Sequence, residues 1–598
     1  MSDISKTPNF DTFQTNFMIK IAIVCFAALL LALNAGAQDL PKGMTEEEKA
    51  MMPFYKFPQM RSSITTPPTW TPRAMAEWEE IDVLLITWTS YTSVLRQIVD
   101  AAQEECTVLI ACNSLDGVDS TQVKSYLTSG GVPLTNVKFL TARFNSVWIR
   151  DYGAHTIYQN EVGNNYLVDW EYNRSFRPSD DTMAIKHAAW AGLDLYSMTV
   201  SPWDFIATGG NLMVDGFGTA MSSELIVDEN PSHSVAEIDT IMKHFLGIDQ
   251  YVLFPTLPYD GIHHIDMHMK LLDEETILVG QYPSGISDGP QIEANLQWLL
   301  SNYMSCYGTP YKVVRIPMPS STSGGWPSSG SYYRTYTNGV FVNKAYIYPS
   351  YYEEYDTTAF RIYSEALPGY TIVPIDCDPD PISASGAIHC ITNCIGSNDP
   401  LLISHQPLAS TQSGSNDYQV NAYIKHESGI AAANVYYKTS LAGSYVSVPM
   451  SSTGSDNWTG HIPVQPDGST VYYYVQAQAV SGKTQVRPMP APAGYWEFNC
   501  QNYVGMEEQF ASVGMESIYP NPAAYLTCIP VECGNGFTGR LSMIDATGRT
   551  VNVIHEGEFA AGKNNYFFNA IGFESGLYII QLESEESVQQ QKVIVRNF

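Results

Sequence analysis

Apolar positions in the first two thirds of the chain fall in short runs that alternate with stretches of helical spacing. Ile81-Asp-Val-Leu-Leu-Ile-Thr-Trp reads as a strand, Thr92 to Glu105 carries apolar residues three and four apart, and Thr107-Val-Leu-Ile-Ala is a second strand. The same rhythm returns with a strand at Leu225-Ile-Val-Asp, a helix from Ser234 to Phe245 and a strand at Ile277-Leu-Val-Gly. Strands alternating with helices predict an α/β class. After Asn398-Asp-Pro the pattern changes to strict alternation, as in Tyr418-Gln-Val-Asn-Ala-Tyr-Ile, Ala433-Asn-Val-Tyr-Tyr and Val471 to Val480. Helical spacing almost vanishes there, and a small β-sandwich fits, closed by the prolines between Val486 and Pro492. A further all-β module runs from Met515 to the last residue.

The ends of the chain add context. Lys20, the apolar stretch Ile21 to Leu33 and the small residues Ala35-Gly36-Ala37 read as a secretory signal over residues 1–37, with Met18 as the expected true start. Residues 38–62, rich in Met, Glu and Lys, read as a pro-segment or loose arm. The expected division is then a domain at 63–398, a β-sandwich at 399–500, a linker at 501–514 and the terminal module at 515–598. No later segment is apolar enough for a membrane helix, so an exported protein is expected. The 598 residues carry a formal net charge of -30, which argues against nucleic acid as a partner and is compatible with a cationic substrate. Export permits disulfides, but the spacing of the ten cysteines does not demand them. Cys106 and Cys112 flank one strand and would lie roughly 20 Å apart. Cys528 and Cys533 could pair if a turn separates them, and Cys390 is expected to stay free.

The chemistry gathers in three strings: Trp148-Ile-Arg-Asp151, His264-Ile-Asp266 and Gly386-Ala-Ile-His-Cys390-Ile-Thr392. Two carboxylates, a histidine and a thiol are what attack on a guanidinium group requires. A guanidinium is planar, cationic and a poor electrophile. Carboxylates grip it through paired N–H bonds, a thiolate remains nucleophilic at low basicity, and a histidine can protonate departing ammonia and then activate water. On a strand His264 and Asp266 would share one face. The Ser/Gly-rich turn before Cys390 would expose its thiol. His389, adjacent on a strand, would face the opposite way as a buried core residue. Asn338-Gly339 suits a hairpin turn as well as a pocket role, and Gly209-Gly210 a turn.

These strings, with Thr208-Gly-Gly-Asn211, Asp215-Gly216 and Tyr336-Thr-Asn338, resemble the guanidine-modifying superfamily. Within it they are closest to the bacterial, Porphyromonas-type secreted peptidylarginine deiminases, near the agmatine deiminases. The resemblance implies a five-bladed, pseudo-symmetric α/β-propeller of ββαβ units, followed by an Ig-like β-sandwich, with no metal or other cofactor. It implies Asp151 and Asp266 as guanidinium clamps, His264 as acid/base, Asn338 as a pocket residue, Cys390 as nucleophile and Trp148 as part of the substrate site. Tyr172-Asn-Arg174-Ser-Phe-Arg177 resembles the loop whose paired arginines hold the carboxylate of a peptide ending in arginine. The Trp-Gly string usual after that Asn in agmatine enzymes is absent. The expected reaction is therefore hydrolysis of peptidyl-arginine, preferably C-terminal, to citrulline and ammonia, with agmatine or free arginine as the alternative. Ser517-Ile-Tyr-Pro-Asn-Pro, Gly576-Leu-Tyr-Ile-Ile-Gln-Leu and Lys592-Val-Ile-Val-Arg-Asn-Phe resemble a type IX secretion sorting domain. That resemblance implies passage through the type IX machinery and a secreted or outer-membrane-surface location.

Two other classes fit parts of the chain. His264, Asp266 and His268 alternate, so on a strand they could form the metal face of a metallohydrolase, although Cys390 would then have no role. A non-catalytic surface adhesin built on the β-modules is the third reading.

Overall fold

The computed structural model describes residues 40–56, 63–113, 119–413, 416–501, 513–523, 526–585 and 587–596. The signal at 1–37 and most of the 501–514 linker lie outside the described residues.

Between residues 72 and 396 one unit recurs: an antiparallel strand pair, a helical crossover, and a third strand that returns parallel to the second. The first unit pairs His155–Gln159 with Asn165–Trp170, crosses through helix Met183–Ala191 and returns on Leu195–Met198. The next uses Met213–Val214, Thr219–Ser223 and Gln250–Phe254. It is followed by Met269–Leu271, Thr276–Gln281 and Lys312–Pro317 around helix Gly289–Asn302. Then come Val340–Val342, Ala345–Ser350 and Thr371–Asp376 around helix Glu353–Ala366. The last unit is assembled from both ends of this region. Asn393–Gly396 pairs antiparallel with Ile81–Thr87, which continues through helix Thr92–Ala102 to the parallel strand Thr107–Cys112. Residues 81 and 396 are thus tied in one sheet, and the loop that ends at Asn393 is held by strands from the opposite end of the region.

Helix Val235–Leu246 shows how the sequence specifies these crossovers. Ser234 caps its N-terminus in a reciprocal capping box with Glu237. Ile238, Ile241, Met242, Phe245 and Leu246 bury one stripe, each contributing about 1.5–3 kcal/mol if fully withdrawn from water. Gly247, at φ 72°, takes the left-handed cap. The segment before it differs from its expectation. Leu225–Glu229 is a short helix, and the strand of this unit is the preceding Thr219–Ser223. A four-residue apolar run is too short for periodicity to decide between strand and helix.

After residue 400 the chain is β-rich. One sheet orders Leu402–Ser404, Tyr418–Lys425, Asn457–Ile462 and Ser451–Gly454, and a second is built around Thr470–Ala479 and Ile430–Lys438. Val420 and Ile424 of the first share a core with Val435, Val471 and Tyr473 of the second. The terminal module likewise packs strand Leu526–Cys533 over a sheet containing Phe537–Ile544 and Gly576–Ser584. Both β-rich parts are tied to the α/β region, through Arg487–Glu274 at 3.0 Å and Lys563–Glu365 at 2.9 Å. All the described cysteines are free thiols. Cys528 and Cys533 lie on one continuous strand with no turn between them, so they do not pair.

Candidate active site

Asp151, the pair His264 and Asp266, Asn338 and Cys390 come from four separate segments and meet in one buried cluster, each no more than 1% exposed. Three local devices aim them. The short helix Ile149–Tyr152 carries Asp151, and Arg150 N donates to Cys390 O at 3.2 Å, docking that helix on the nucleophile's loop. Asn338 Oδ1 accepts from Ala387 N at 3.2 Å and His389 N at 3.1 Å, which shapes the loop around the thiol. Thr337 Oγ1 donates to Asp266 O at 2.9 Å.

The Thr208-Gly-Gly-Asn211 string is a scaffold for the other residues. Thr208 Oγ1 lies 3.0 Å from His264 Nε2, Gly210 N donates to Asp151 Oδ1 at 3.2 Å, and Asn211 Oδ1 accepts from Ile265 N at 3.3 Å. A Cβ at Gly210 would sit 2.8 Å from both Asp151 Oδ1 and His264 Nδ1, so close approach excludes any larger residue. Gly386 is constrained in the same way, since a Cβ there would lie 2.5 Å from the Trp148 ring and 3.2 Å from Cys390 Sγ.

Several local expectations are corrected. His264 and Asp266 do not alternate on a strand: Ile265–Met267 is a 3₁₀ turn with His264 at its N-cap. This removes the geometry of a His264/Asp266/His268 metal face. Among the described residues no group of three His, Cys, Asp or Glu is placed to hold a metal ion. Residues 388–391 form a turn, so His389 and Cys390 are not on opposite faces of a strand. Both reach Asp266: His389 Nδ1 lies 2.8 Å, and Cys390 Sγ 3.6 Å, from its Oδ2. The thiol is buried, not exposed by its turn. The hairpin turn in this region falls at Asn343, φ 49°, not at Asn338-Gly339, because Asn338 is spent on the thiol and its loop.

Residues that the sequence reading passed over complete the cluster. His389 Nε2 contacts Glu77 Oε1 at 2.8 Å, and Lys270 pairs with the same carboxylate. Both imidazole nitrogens of His389 thus face a carboxylate. Glu77 sits in Ala76-Glu-Trp-Glu-Glu80, an acidic string with no spacing signal of its own. The arm, expected to be loose, is docked: Lys42 is fully buried, its Nζ 2.8 Å from Cys390 Sγ and 3.5 Å from Asp266 Oδ1.

The electrostatics follow from this packing. Burial, reinforced by Asp266, pushes the Cys390 thiol up to about 12 against the pull of Lys42. Burial drives the His264 imidazole well below its ordinary value, and the Lys42 charge adds to that. Burial also raises Asp151, opposed by Lys42. Burial would raise Asp266 too, but Lys42 and the hydrogen bond from His389 hold it below the usual carboxylate range. Asp151 Oδ2 and His264 Nδ1 are buried with no hydrogen-bond partner, polar atoms suited to a substrate's N–H groups.

The arginine pair flanks this pocket. Arg174 is stacked over Tyr172 and bonded to Asn173, with its Nε buried and unpartnered, and its charge reaches Asp151 and His264. Arg177 makes a two-point contact with Glu48 of the arm, at 2.7 and 3.0 Å. Trp148 donates its indole N–H to Leu40 O at 2.7 Å.

Comparisons with known proteins bear on both the α/β region and the terminal module. Residues 517–596 match the family described as "Secretion system C-terminal sorting domain", which indicates export. Among the described residues no helix is long and apolar enough to cross a membrane. A protein named "Agmatine deiminase" from Pseudomonas fluorescens is 25% identical over 306 residues, 43% of this chain and 76% of its own. One named "Putative agmatine deiminase" from Vibrio parahaemolyticus is 26% identical over 291 residues, 44% of this chain and 78% of its own. A solved structure with that same name has a TM-score of 0.50 at 20% identity, covering 57% of this chain and all of the other, and so shares the fold. Residues 73–395, more than half of the chain, match the family described as "Porphyromonas-type peptidyl-arginine deiminase", and the chain belongs to that family of guanidino-group hydrolases acting on C–N bonds.

Proposed function

We propose that the chain hydrolyses the guanidino group of peptidyl-arginine, with preference for a C-terminal arginine, to citrulline and ammonia. The observation that carries this reading is the grouping of Cys390, Asp266, Asp151 and His264 around the position of one buried cation, the Lys42 ammonium. A guanidinium placed there would be clamped by Asp151 and Asp266, with its central carbon presented to Cys390. The Cys390 thiol cedes its proton to His264 as its sulfur adds to that carbon. His264 passes a proton to one amino group, and ammonia leaves with the cleaved C–N bond, giving a thiouronium intermediate. Water, losing a proton to His264, then adds to the same carbon and expels the thiolate. Asn338, 3.2 Å from Sγ through its Nδ2, steadies the sulfur, and Trp148 walls the pocket.

The grip of Arg177 on a carboxylate, and the buried Arg174 beside it, support the C-terminal preference. The curated relatives carry the name agmatine deiminase, and agmatine has no carboxylate for these arginines. A colorimetric ureido assay separates the two readings, run on an arginine-terminated peptide, its amidated form, free arginine and agmatine, with Cys390→Ala as control. A free carboxylate is expected to raise kcat/KM at least about tenfold, the effect of one charge-assisted hydrogen bond. Arg174→Gln should erase that advantage. Equal rates on free and amidated peptides, or agmatine as the best substrate, would overturn the carboxylate reading.

We further infer that the five recurring units close as the blades of an α/β-propeller around this cluster. The pairing of Asn393–Gly396 with Ile81–Thr87 supports such a closure. Residues 63–398 are assigned as the deiminase domain, 399–500 as an Ig-like sandwich and 515–598 as the sorting domain. Export through the type IX machinery would end in release or surface attachment.

A further inference from the structure

The arm is held in the cleft by both its main chain and its side chains. Trp148 Nε1 donates to Leu40 O at 2.7 Å, Lys42 N donates to Ala384 O at 3.0 Å, and Arg177 donates to Gly43 O at 3.1 Å. Ser175 Oγ donates to Glu48 O at 3.0 Å, at the start of a helix, Glu46–Met51, that Thr45 caps in a reciprocal box with Glu48. From this frame two charged side chains reach inward. Lys42 lies against the thiol and Asp266, and Glu48 lies against Arg177, with all of these groups 1% exposed or less.

We propose that residues 40–48 are a built-in substrate mimic that holds the enzyme inactive until the arm is displaced or cut away, an inference that rests on the deiminase reading of the site. The mimicry is chemical at both ends. The Lys42 ammonium takes the place of a substrate guanidinium between the clamp and the nucleophile. The Glu48 carboxylate takes the place of a substrate carboxylate on Arg177. Lysine is a dead end there, because an ammonium has no central carbon for the sulfur to attack and no C–N bond activated for hydrolysis. It also excludes substrate by volume, since a group 2.8 Å from Sγ leaves no room for a second cation. As part of the same chain the arm competes at an effective concentration on the order of millimolar, so a dilute substrate loses to it. The arm's main-chain contacts also mark where the backbone of a bound peptide would run, past Trp148, Ala384 and Arg177.

The test uses the full chain as wild type, Lys42→Ala and Glu48→Gln. Turnover of an arginine-terminated peptide is read as ureido product. Occupancy is read independently by the rate at which chloroacetamidine, whose amidinium brings its own cation, alkylates Cys390, followed by peptide mass. Lys42→Ala is expected to raise both rates at least about tenfold, and Glu48→Gln to raise them less, as loss of one charge-assisted hydrogen bond predicts. Lys42→Arg places a guanidinium on the arm itself and is expected to give citrulline at position 42, absent when Cys390→Ala is added. Wild-type rates of turnover and of labelling in both arm variants would overturn the mimic and leave the deiminase reading intact. Labelling released by Lys42→Ala, with no ureido product from any guanidino compound, would overturn the deiminase reading while the occupancy stood.

Discussion

His389→Ala tests whether the clamp carboxylate is positioned by its neighbours. The imidazole is 1% exposed and spans Asp266 and Glu77 with two contacts of 2.8 Å. Its removal strips one partner from each carboxylate. Glu77 keeps Lys270 and is partly exposed, whereas Asp266 keeps only a cation in the pocket and the weak approach of the thiol. Breaking a buried charged pair from one side costs about 3–5 kcal/mol, and the partners that remain place this case near ~3 kcal/mol. For a unit of this size that lowers Tm by about 5 °C. The loss depends on pH with a definite sign. Asp266 and Glu77 are both held below the ordinary carboxylate range, against burial, by His389 together with Lys42 and Lys270 respectively. Groups lowered in the folded state stabilise it above their unfolded values, and that stabilisation fades as pH falls through the folded ones. The gap between wild type and variant is therefore widest near neutral pH and closes in acid. A clamp free to rotate also misplaces the guanidinium, and an error of about 1 Å in the reacting geometry costs about 10²-fold in rate. Calorimetry across pH, and kcat/KM on an arginine peptide in a Lys42→Ala background, measure the two effects. His389→Gln, which restores one N–H donor, should recover part of the kcat/KM. An unchanged Tm at neutral pH with undiminished kcat/KM would show that the backbone alone fixes Asp266 and would refute the reasoning.

Cys390→Ala should abolish ureido product, and His264→Ala should lower kcat by about 10²–10⁴, the range for a positioned acid/base, in the same colorimetric assay. Gly210→Ala should cut kcat/KM by about 10², because its Cβ would push on Asp151 and His264, each 2.8 Å away, and a crystal structure of the variant should show both displaced. In Lys42→Ala, alkylation of Cys390 by neutral iodoacetamide should still be rising at pH about 9, because the thiol is pushed up to about 12 and only the thiolate reacts. Added guanidinium should move that rise toward neutral pH, and a plateau below neutrality without any cation would contradict it.

The α/β rhythm was legible because the crossover helices announce themselves by caps and spacing, as Ser234 and the buried stripe of Val235–Leu246 do. The five residues that meet in the cluster could be picked out from their strings, which survive as local motifs whatever backbone carries them. Their backbone was not. His264-Ile-Asp266 reads equally well as a strand, and the 3₁₀ turn it forms is imposed by Asn211 and Thr337 from elsewhere in the chain. His389 illustrates the same limit: its partner at 2.8 Å is 123 residues away, and Glu77 is 312 away. A histidine beside a cysteine gives no sign of which carboxylates it will bridge. The docked arm was hidden for a different reason. Lysine and glutamate in a polar segment normally mark solvent, and only the folded cleft turns Lys42 and Glu48 into buried ligands.

On the proposed reading, the cluster also accounts for how a thiol this inert would serve as a nucleophile. A sulfur anion 3.6 Å from the Asp266 carboxylate is opposed by about 5 kcal/mol at an effective dielectric of about 20. Burial, the larger cause, and this opposition together push the thiol up from 9.0 to about 12, against the pull of Lys42. Even with the Lys42 ammonium beside it, therefore, the sulfur keeps its proton and is protected from stray electrophiles. A cation beside Sγ works against that rise, as the Lys42 ammonium does without abolishing it, so on the proposed reading a bound guanidinium favours the thiolate that attacks it. Linkage makes this coupling reciprocal: whatever factor the cation contributes to thiolate formation, the thiolate returns as affinity for the cation. A lysine ammonium collects the same affinity without offering a reactive carbon, which is why a single buried lysine can silence a site built to bind guanidinium.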